Sequence, residues 1–265
     1  MNNEDVLKRF ELAKQLAVLG GKSTLEFFQK DNFDVIKKSD GSPLTVADQT
    51  CETLLRERIE STFPGDGIVG EEYGVKETPS SVRWIVDPID GTKSFISGVP
   101  LFGTMVAVEV EGVATIGVCY FPGLDEGIYA CVGQGAWWFR GEQEPQRARV
   151  SQKSKLADCV VVCSDDSPFK GRNSEAVWQE LDRQAYFSRT WGDAYGYMLV
   201  ATGRVDLMID PTLCIWDAAA VKPIIDEAGG TFTDWAGEPK IDSGDAVGSN
   251  GLIHSQVMSI IQNAK

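Results

Sequence analysis

The chain has 265 residues, which is enough for one large domain or two closely packed subdomains with a substantial core. Hydrophobic residues make up 43% and charged residues 24%, as is usual for a soluble globular protein. The formal net charge of -14 disfavours a nucleic-acid or anionic-membrane surface, because phosphate backbones are bound by clustered Lys and Arg.

The N-terminal segment and the cysteines indicate a cytoplasmic protein. Residues 1–21 carry acids early and lack the basic and apolar stretches of a signal peptide, and no later segment has the roughly 18–20 apolar residues that span a bilayer. The 6 cysteines form no Cys-x-x-Cys pair, so reduced core thiols are favoured over disulfides or metal ligands. The single histidine, His254, excludes a multi-histidine zinc site and is expected at the surface or at a helix entry.

In the first half of the chain, helical spacing extends from residue 4 to residue 30. The segment with Gly41 and Pro43 breaks this pattern, and a second helix is predicted from near Thr45 to about Ser61. Strands are predicted at GIVG and RWIVD, and then in four runs between Gly-rich turns: GTMVAVEV, ATIGVCYF, GIYACV and AWWFR.

From about residue 150 the pattern changes to an alternation of strands and helices. Strands are predicted at CVVVC and VDLMID, and helices at SEAVWQELDRQA, DAYGYMLVATGR and, despite Pro223, WDAAAVKPIIDEAGG. We therefore expect a mixed α/β fold in which helices cover sheets. Two subdomains are expected, residues 1–150 and residues 151–265, with the functional site where they meet.

Four predicted apolar segments end on acidic residues, and each acid alone has a structural explanation. The segments are GIVGEEYG, WIVDPIDGT, LMIDP and IWDAAA. Asp90 could be a turn former, and Asp217 could be a first-turn acid that the helix dipole favours. Asp48 fits a capping box with Thr45, an interpretation about as good as a functional one.

The spacing of Asp87 and Asp90 points to a metal site. These two acids flank a predicted turn that Pro88 fixes. The amides of Gly91 and Thr92 follow and could open a helix, so that a hard cation would lie beside an anion-binding position. With one histidine and no thiol cluster, Mg²⁺ or Mn²⁺ is favoured, and a bound cation would let an acidic protein accept an anionic substrate.

Three motifs resemble those of the inositol monophosphatase superfamily, whose members are Mg²⁺-dependent, lithium-sensitive phosphatases. They are GEEYG, WIVDPIDGTKSF and WDAAAVKPIIDEAGG, and the resemblance extends over roughly residues 37–251. It implies a layered αβαβα sandwich that is commonly dimeric. It also implies hydrolysis of a phosphomonoester by water that the metal activates. Because the turn after Asp87 offers no Cys or His nucleophile, we expect no phosphorylated enzyme.

The resemblance also implies roles for individual residues. The implied metal ligands are Glu71, Asp87 as the acid bridging two metals, the carbonyl of Ile89, Asp90 and Asp217. The amides of Gly91 and Thr92 match those that receive the phosphate. Thr92 and Asp48, together with Glu71, match the catalytic groups around the attacking water. Glu72 is the adjacent acid of the first motif and is expected outside the direct ligands.

Two stretches resemble the histidinol-phosphate phosphatase branch of the superfamily: DPIDGTKSFISGVPLFGT and RTWGDAYGYMLVATGRVDLMIDP. Inositol phosphatases usually have Thr-Asn in place of Lys93-Ser94, Glu in place of Asp210, and a small neutral or hydroxyl residue in place of Asp193. L-Histidinol phosphate is therefore the expected substrate, with Asp193, Asp210 and Arg189 as candidate substrate-binding residues.

Alternatives remain open for these residues and for the function. Asp193 could be a helix-start acid, and Asp210 could be a turn acid before Pro211. The substrate could instead be inositol 1-phosphate, another sugar phosphate or a nucleotide. A regulatory interaction protein on a phosphatase scaffold is a further alternative, since a fold does not determine its function.

Overall fold

A computed structural model describes residues 3–30, 35–37 and 43–263 of the chain. Its helices are α1 (Asn3–Thr24), α2 (Val46–Thr62), α3 (Thr92–Ile96), α4 (Ser167–Gly171), α5 (Glu175–Gln184), α6 (Ala194–Ala201), α7 (Ile215–Glu227) and α8 (His254–Asn263). Its strands are β1 (Val35–Lys37), β2 (Pro43–Thr45), β3 (Gly67–Gly70), β4 (Gly74–Lys76), β5 (Val82–Asp90), β6 (Gly103–Val110), β7 (Val113–Phe121), β8 (Glu126–Cys131), β9 (Gly135–Arg140), β10 (Gln146–Arg147), β11 (Val160–Val162), β12 (Phe187–Arg189), β13 (Leu207–Asp210), β14 (Thr231–Thr233) and β15 (Ala246–Ser249).

The strands form two main sheets. In the described part of the chain, the larger sheet has eight strands in the order β10-β9-β8-β7-β6-β5-β3-β4, and the smaller has five in the order β12-β11-β13-β15-β14. In the larger sheet, β3 and β5 run parallel, while β5 to β10 form an antiparallel series. A separate antiparallel pair is formed by β1 and β2.

The helices and the two sheets are stacked in five layers. The core between α1, α2 and one face of the larger sheet includes Leu16, Leu55 and Trp84. Helices α6 and α7 lie between the two sheets and contribute to the largest cluster of buried residues. Helices α4, α5 and α8 pack on the outer face of the smaller sheet. This is the αβαβα sandwich implied by the resemblance.

Helix α7 joins the two halves of the chain into one core. The larger sheet comes from the first half and the smaller sheet from the second, but α7, from the second half, packs extensively against the larger sheet. The division into residues 1–150 and 151–265 stays a prediction. Among the described residues, no helix combines the length and the apolar character needed to cross a bilayer.

The helix boundaries follow from local hydrogen bonds. At the start of α2, the predicted capping box is present: the N–H of Thr45 donates to Asp48 Oδ2 at 2.8 Å, and Thr45 Oγ1 accepts from the N–H of Asp48. The prediction that α1 extends to residue 30 is wrong, because α1 ends at Thr24. The Thr24 hydroxyl donates to the carbonyl of Gly21, and Phe28 then packs against the cluster of buried residues beside α3. The predicted break at Gly41 lies outside the described residues.

A β-bulge replaces the turn predicted at Pro88. Strand β5 continues through Pro88, and its pairing with β6 matches Asp87 with Met105 and Asp90 with Gly103. Between these pairs β5 therefore contains one residue more than β6. Residues three apart in a regular strand point to opposite faces, and one inserted residue reverses that relation. The bulge thus directs the side chains of Asp87 and Asp90 to the same side.

The cysteines and the histidine do not line the cavity that lies where the two halves of the chain meet. All of the cysteines are free, and five are buried, including Cys159 and Cys163, which share one core cluster. Cys214 departs from the expectation of core thiols, because it is exposed just before α7. His254 lies at the start of α8, a helix entry as predicted, and its ring is hydrogen-bonded to the hydroxyls of Thr233 and Ser249.

Candidate active site

A cavity of about 200 Å³ lies where the two halves of the chain meet. From the first half it is lined by Glu71, Asp87, Ile89, Asp90, Gly91, Thr92 and Lys93. From the second half it is lined by Ser164, Asp193, Ala194, Tyr197, Thr212, Leu213 and Asp217. The structure therefore brings together the predicted metal ligands and most of the predicted substrate-binding residues.

Three carboxylates form a tight cluster in this cavity. One oxygen each of Asp87, Asp90 and Asp217 lies within 4.8 Å of the other two. Asp87 is 1% exposed and Asp90 5% exposed, so neither is surrounded by solvent. One backbone N–H holds each carboxylate, at 3.0, 2.8 and 2.8 Å, from Ile89, Ala194 and Cys214 respectively. These bonds fix the three carboxylates toward a common point.

Burial and mutual repulsion raise the pKa of every member of the cluster. For Asp87, burial raises the pKa well above its usual range, and the charges of Glu71 and Asp90 raise it further. Burial also raises the pKa of Asp90, to which the charge of Asp193 adds. Burial raises the pKa of Asp217 to about 7. Carboxylates in such proximity need protons or a cation, and an all-oxygen donor set fits a hard divalent cation.

Glu71 reaches the cavity through the parallel pairing of β3 and β5. Gly70, the last residue of β3, pairs with Val86, so the next residues along the two strands are Glu71 and Asp87. Parallel strands present their carboxyl ends at the same edge of a sheet, which is where ligands bind in open α/β folds. Glu71 lines the cavity and its charge contributes to the raised pKa of Asp87 and Asp217, although it is not part of the three-carboxylate cluster.

The segment after Asp90 forms another wall of the cavity. Gly91 has a φ of 78°, a left-handed conformation that glycine adopts without strain. The hydroxyl of Thr92 donates to the carbonyl of Ile89 at 3.1 Å, and that carbonyl retains a second lone pair. Asp48 does not line the cavity, but its charge is among the causes that raise the pKa of Asp87. Asp48 is the third residue of α2 and forms the capping box with Thr45, the N-cap residue.

Asp193 faces the same cavity from the second half of the chain. It is the residue that precedes α6, as the helix-start interpretation requires, and it also lines the cavity. Burial raises its pKa, while the nearby charge of Lys93 lowers it. Lys93 is exposed and its Nζ lies 3.3 Å from Asp165 Oδ2. Asp193 therefore adds a fifth acid to the cavity, beside Glu71 and the three-carboxylate cluster.

Asp210 and Arg189 are not among the lining residues. Asp210 is buried at the end of β13, where its carboxylate accepts the N–H of Ser164 and the hydroxyl of Tyr197, each at 2.9 Å. Burial raises the pKa of Asp210 to about 6. Arg189 is exposed on β12 and its guanidinium lies over the ring of Phe187. Asp210 thus supports two residues of the cavity wall, and neither it nor Arg189 is part of the substrate contact proposed below.

Sequence reasoning missed several residues of the site. Ser164 follows strand β11 much as Asp87 follows an apolar run, which is a signal that could have been used. Tyr197 was assigned only to a helix, and its contact with Asp210 depends on the tertiary fold. Glu52 was also missed, although it lies four residues after Asp48 and four before Arg56 on one face of α2. It is completely buried.

Comparisons with known proteins agree with this fold. Residues 5–265 match the inositol monophosphatase family. The chain is 40% identical to a histidinol-phosphatase of Chlorobaculum parvum, over 96% of this chain and 97% of that one. It is 32% identical to an inositol-1-monophosphatase of Mesorhizobium japonicum, over 94% of each chain. A solved structure of a Thermotoga maritima IMPase matches with a TM-score of 0.86 at 29% identity, covering 97% of this chain and 98% of that one.

The fold, the acidic cavity and these matches together define a phosphoric monoester hydrolase. The chain belongs to the inositol monophosphatase family, whose members are generally metal-dependent.

Proposed function

We propose that this protein is a Mg²⁺-dependent phosphatase that hydrolyses L-histidinol phosphate to L-histidinol and phosphate, a reaction of histidine biosynthesis. The observation that carries the proposal is one cavity that contains both the three-carboxylate cluster and a further acid, Asp193. Histidinol phosphate carries a phosphate at one end and an ammonium and an imidazole at the other. Greater identity to a histidinol-phosphatase than to an inositol-1-monophosphatase supports this substrate.

The cation would be held by Asp87, Asp90 and Asp217, with Glu71 and the carbonyl of Ile89 as further ligands. Their donor atoms are all oxygen, which favours Mg²⁺, with Mn²⁺ as a substitute. Bound Mg²⁺ would neutralise the clustered carboxylates, polarise the phosphate and lower the pKa of a water molecule. The raised pKa values of the three aspartates are the physical reason for expecting tight dependence on the cation.

The chain's own groups would bind and orient the reactants. The N–H groups of Gly91 and Thr92 hold the phosphate. The Thr92 hydroxyl orients the attacking water, helped by the charge of Asp48 from outside the cavity lining. Water attacks phosphorus and gives up one proton, the ester P–O bond breaks, and the leaving oxygen takes up a proton to form the alcohol. No lining residue is a cysteine or histidine, which favours direct attack over a phosphorylated intermediate on either side chain. Asp193 binds the cationic end of the substrate.

The second candidate substrate is inositol 1-phosphate, because the chain is also similar to an inositol-1-monophosphatase over most of its length. A broad sugar-phosphate or nucleotide phosphatase is the third. Measured kcat/KM for histidinol phosphate, inositol 1-phosphate, a sugar phosphate and a nucleotide separates these possibilities. We expect histidinol phosphate to be preferred by at least about tenfold, which corresponds to about 1.4 kcal/mol. A higher value for inositol 1-phosphate would overturn the substrate assignment, and no turnover with Mg²⁺ would favour a regulatory role.

We also propose that the chain functions as a homodimer, as the resemblance implied. Mass measurement by light scattering at micromolar concentration tests this, and a monomer mass would contradict it. A cytoplasmic location stays a prediction from the sequence.

A further inference from the structure

Glu52 is a buried carboxylate beneath the turn that carries Glu71. It lies on α2 and is 0% exposed. Its Oε2 accepts the N–H of Glu72 at 2.8 Å, and its Oε1 accepts the N–H of Tyr73 at 3.1 Å. Both N–H groups belong to the turn between β3 and β4, where the strand pairing ends. A single side chain therefore satisfies two backbone groups of this turn.

Arg56, four residues after Glu52 on α2, binds both the Glu52 carboxylate and the turn between β3 and β4. Its Nε donates to Glu52 Oε1 at 2.7 Å, and its Nη2 donates to the carbonyl of Gly74, where β4 begins. The carboxylate and the guanidinium thus hold the two sides of the same turn. Buried charges are costly unless they are paired and fully hydrogen-bonded, and such charge-assisted bonds are geometrically specific. These bonds therefore stabilise the conformation of the turn that the structure shows.

Gly70 makes room for this arrangement. A Cβ added to Gly70 would fall 2.0 Å from Glu52 Oε1, so a side chain here would displace the carboxylate from the turn. Gly70 also pairs with Val86, one residue before Asp87. The contact with Glu52 therefore lies directly beside the point at which Glu71 and Asp87 enter the cavity.

We propose that Glu52 is a positioning residue for Glu71. Its two hydrogen bonds fix the backbone of the turn and thereby the direction in which Glu71 faces Asp87. In this way Glu52 sets the affinity for the divalent cation without contacting it. The inference rests on the proposed function, in which Glu71 helps to hold that cation. Outer hydrogen-bond partners of metal ligands typically change metal affinity about 10–100-fold when they are mutated.

The test measures the binding of Mn²⁺ to the Glu52→Gln variant in the absence of substrate. Electron paramagnetic resonance detects the bound Mn²⁺. Glutamine keeps the shape of the side chain but places an N–H donor against donors of the turn or of Arg56. We expect Mn²⁺ to bind at least about tenfold more weakly. The matched control is Glu57→Gln, the same substitution at an exposed position of α2, which should leave Mn²⁺ affinity unchanged.

Turnover provides a second readout that a purely structural role would not give. At saturating Mg²⁺, Glu52→Gln should recover kcat to within about threefold of wild type, with KM for the phosphomonoester unchanged, because the lost affinity is overcome by concentration. A purely structural defect would lower the melting temperature and kcat while leaving the Mn²⁺ affinity of the folded protein intact.

Gly70→Ala is the second variant, because it retains Glu52 but forces its carboxylate away from the turn. We expect the same loss of Mn²⁺ affinity from it. The proposal is overturned if Mn²⁺ affinity stays within about twofold of wild type in folded Glu52→Gln or, should that variant fail to fold by circular dichroism, in Gly70→Ala. Wild-type protein that binds no Mn²⁺ would instead overturn the proposed function.

Discussion

The carboxylate of Asp193 lies against the backbone of Gly91, although the two residues come from opposite halves of the chain. A Cβ added to Gly91 would fall 2.9 Å from Asp193 Oδ2. After burial, the charge of Asp193 is the next cause that raises the pKa of Asp90. We propose that Asp193 recognises the substrate, and its charge therefore also acts on the proposed cation site. A substrate that uses both must present its phosphate and its cationic group close together.

The first prediction concerns substrate choice at Asp193. Asp193→Asn should lower kcat/KM for histidinol phosphate about 10–100-fold, because a hydrogen bond to a charged group contributes about 1.5–3 kcal/mol. Hydrolysis of p-nitrophenyl phosphate, which has an uncharged tail, should change by less than about threefold. Steady-state kinetics with both substrates measures the difference. Asp166→Asn, an exposed acid outside the cavity lining, is the control. Equal losses for both substrates would show that Asp193 acts on the cation site instead.

The second prediction concerns Asp87, which flanks the bulge in β5 and has its carboxylate in the cluster. Asp87→Asn removes one negative charge and should lower kcat by at least about 10³-fold, since metal clamping supplies most of the acceleration of phosphate-ester hydrolysis. Circular dichroism should show an intact fold, because the variant relieves repulsion among buried acids. Turnover near the wild-type value at saturating Mg²⁺ would refute the role of Asp87 as the bridging ligand.

The third prediction concerns the groups that orient water. Thr92→Ala and Asp48→Asn should each lower kcat more than they raise KM, because orientation of the nucleophile matters in the transition state. Asp48→Asn should also cost about 1 kcal/mol of stability through the weakened capping box at Thr45. Thr92→Ser, which keeps the hydroxyl, should retain most of the activity. Trapping of a phosphorylated residue during turnover would contradict direct attack by water.

The fourth prediction concerns cation removal and pH. The pKa values of Asp87, Asp90 and Asp217 are raised in the folded state above the value of about 3.9 for an unfolded Asp. The folded protein therefore binds these protons more tightly than the unfolded one. This contribution to stability is complete below about pH 4, and it is lost as pH rises through the folded pKa, which is about 7 for Asp217.

Thermal unfolding with and without Mg²⁺ measures this effect. In the presence of a chelator, the melting temperature should fall between about pH 5.5 and about pH 7.5, and Mg²⁺ should raise it more at the higher pH. Asp217→Asn should flatten the pH dependence of the chelated protein. An equal Mg²⁺-induced shift at both pH values would contradict the link between cation binding and the protonation of these acids.

The elements of the fold that rest on local chemistry could be predicted from the sequence. Thr45 and Asp48 form the capping box that starts α2, and the apolar run before Asp87 forms a buried strand. The bulge between Asp87 and Asp90 could not be predicted, because it depends on the pairing with Met105 and Gly103 of a neighbouring strand. Pro88 suggested a turn, and tertiary pairing overrode that local preference.

The surroundings of two acids could not be predicted from the sequence, because they depend on contacts between different elements of the fold. Asp210 follows an apolar run as Asp87 does, yet its carboxylate is hydrogen-bonded to Tyr197 and does not reach the cavity. Glu52 resembles a solvated helix acid in the sequence, but the turn after β3 buries it. The partner lies on a different element in both cases, 13 residues away for Asp210 and 20 for Glu52, so no local pattern distinguishes the two positions.

Helix α7 supplies Asp217 at its first turn and forms part of the layer between the two sheets. At its other end, Glu227 accepts the N–H groups of Gly133 and Gly135 from the turn between β8 and β9. During synthesis on the ribosome, Asp87 and Asp90 emerge long before this helix does. A nascent chain that stops before α7 lacks both the third carboxylate and the longer of the two helices in the central layer. On the proposed function, the cation site therefore cannot be completed, and the chain cannot become active, before α7 has been translated and packed.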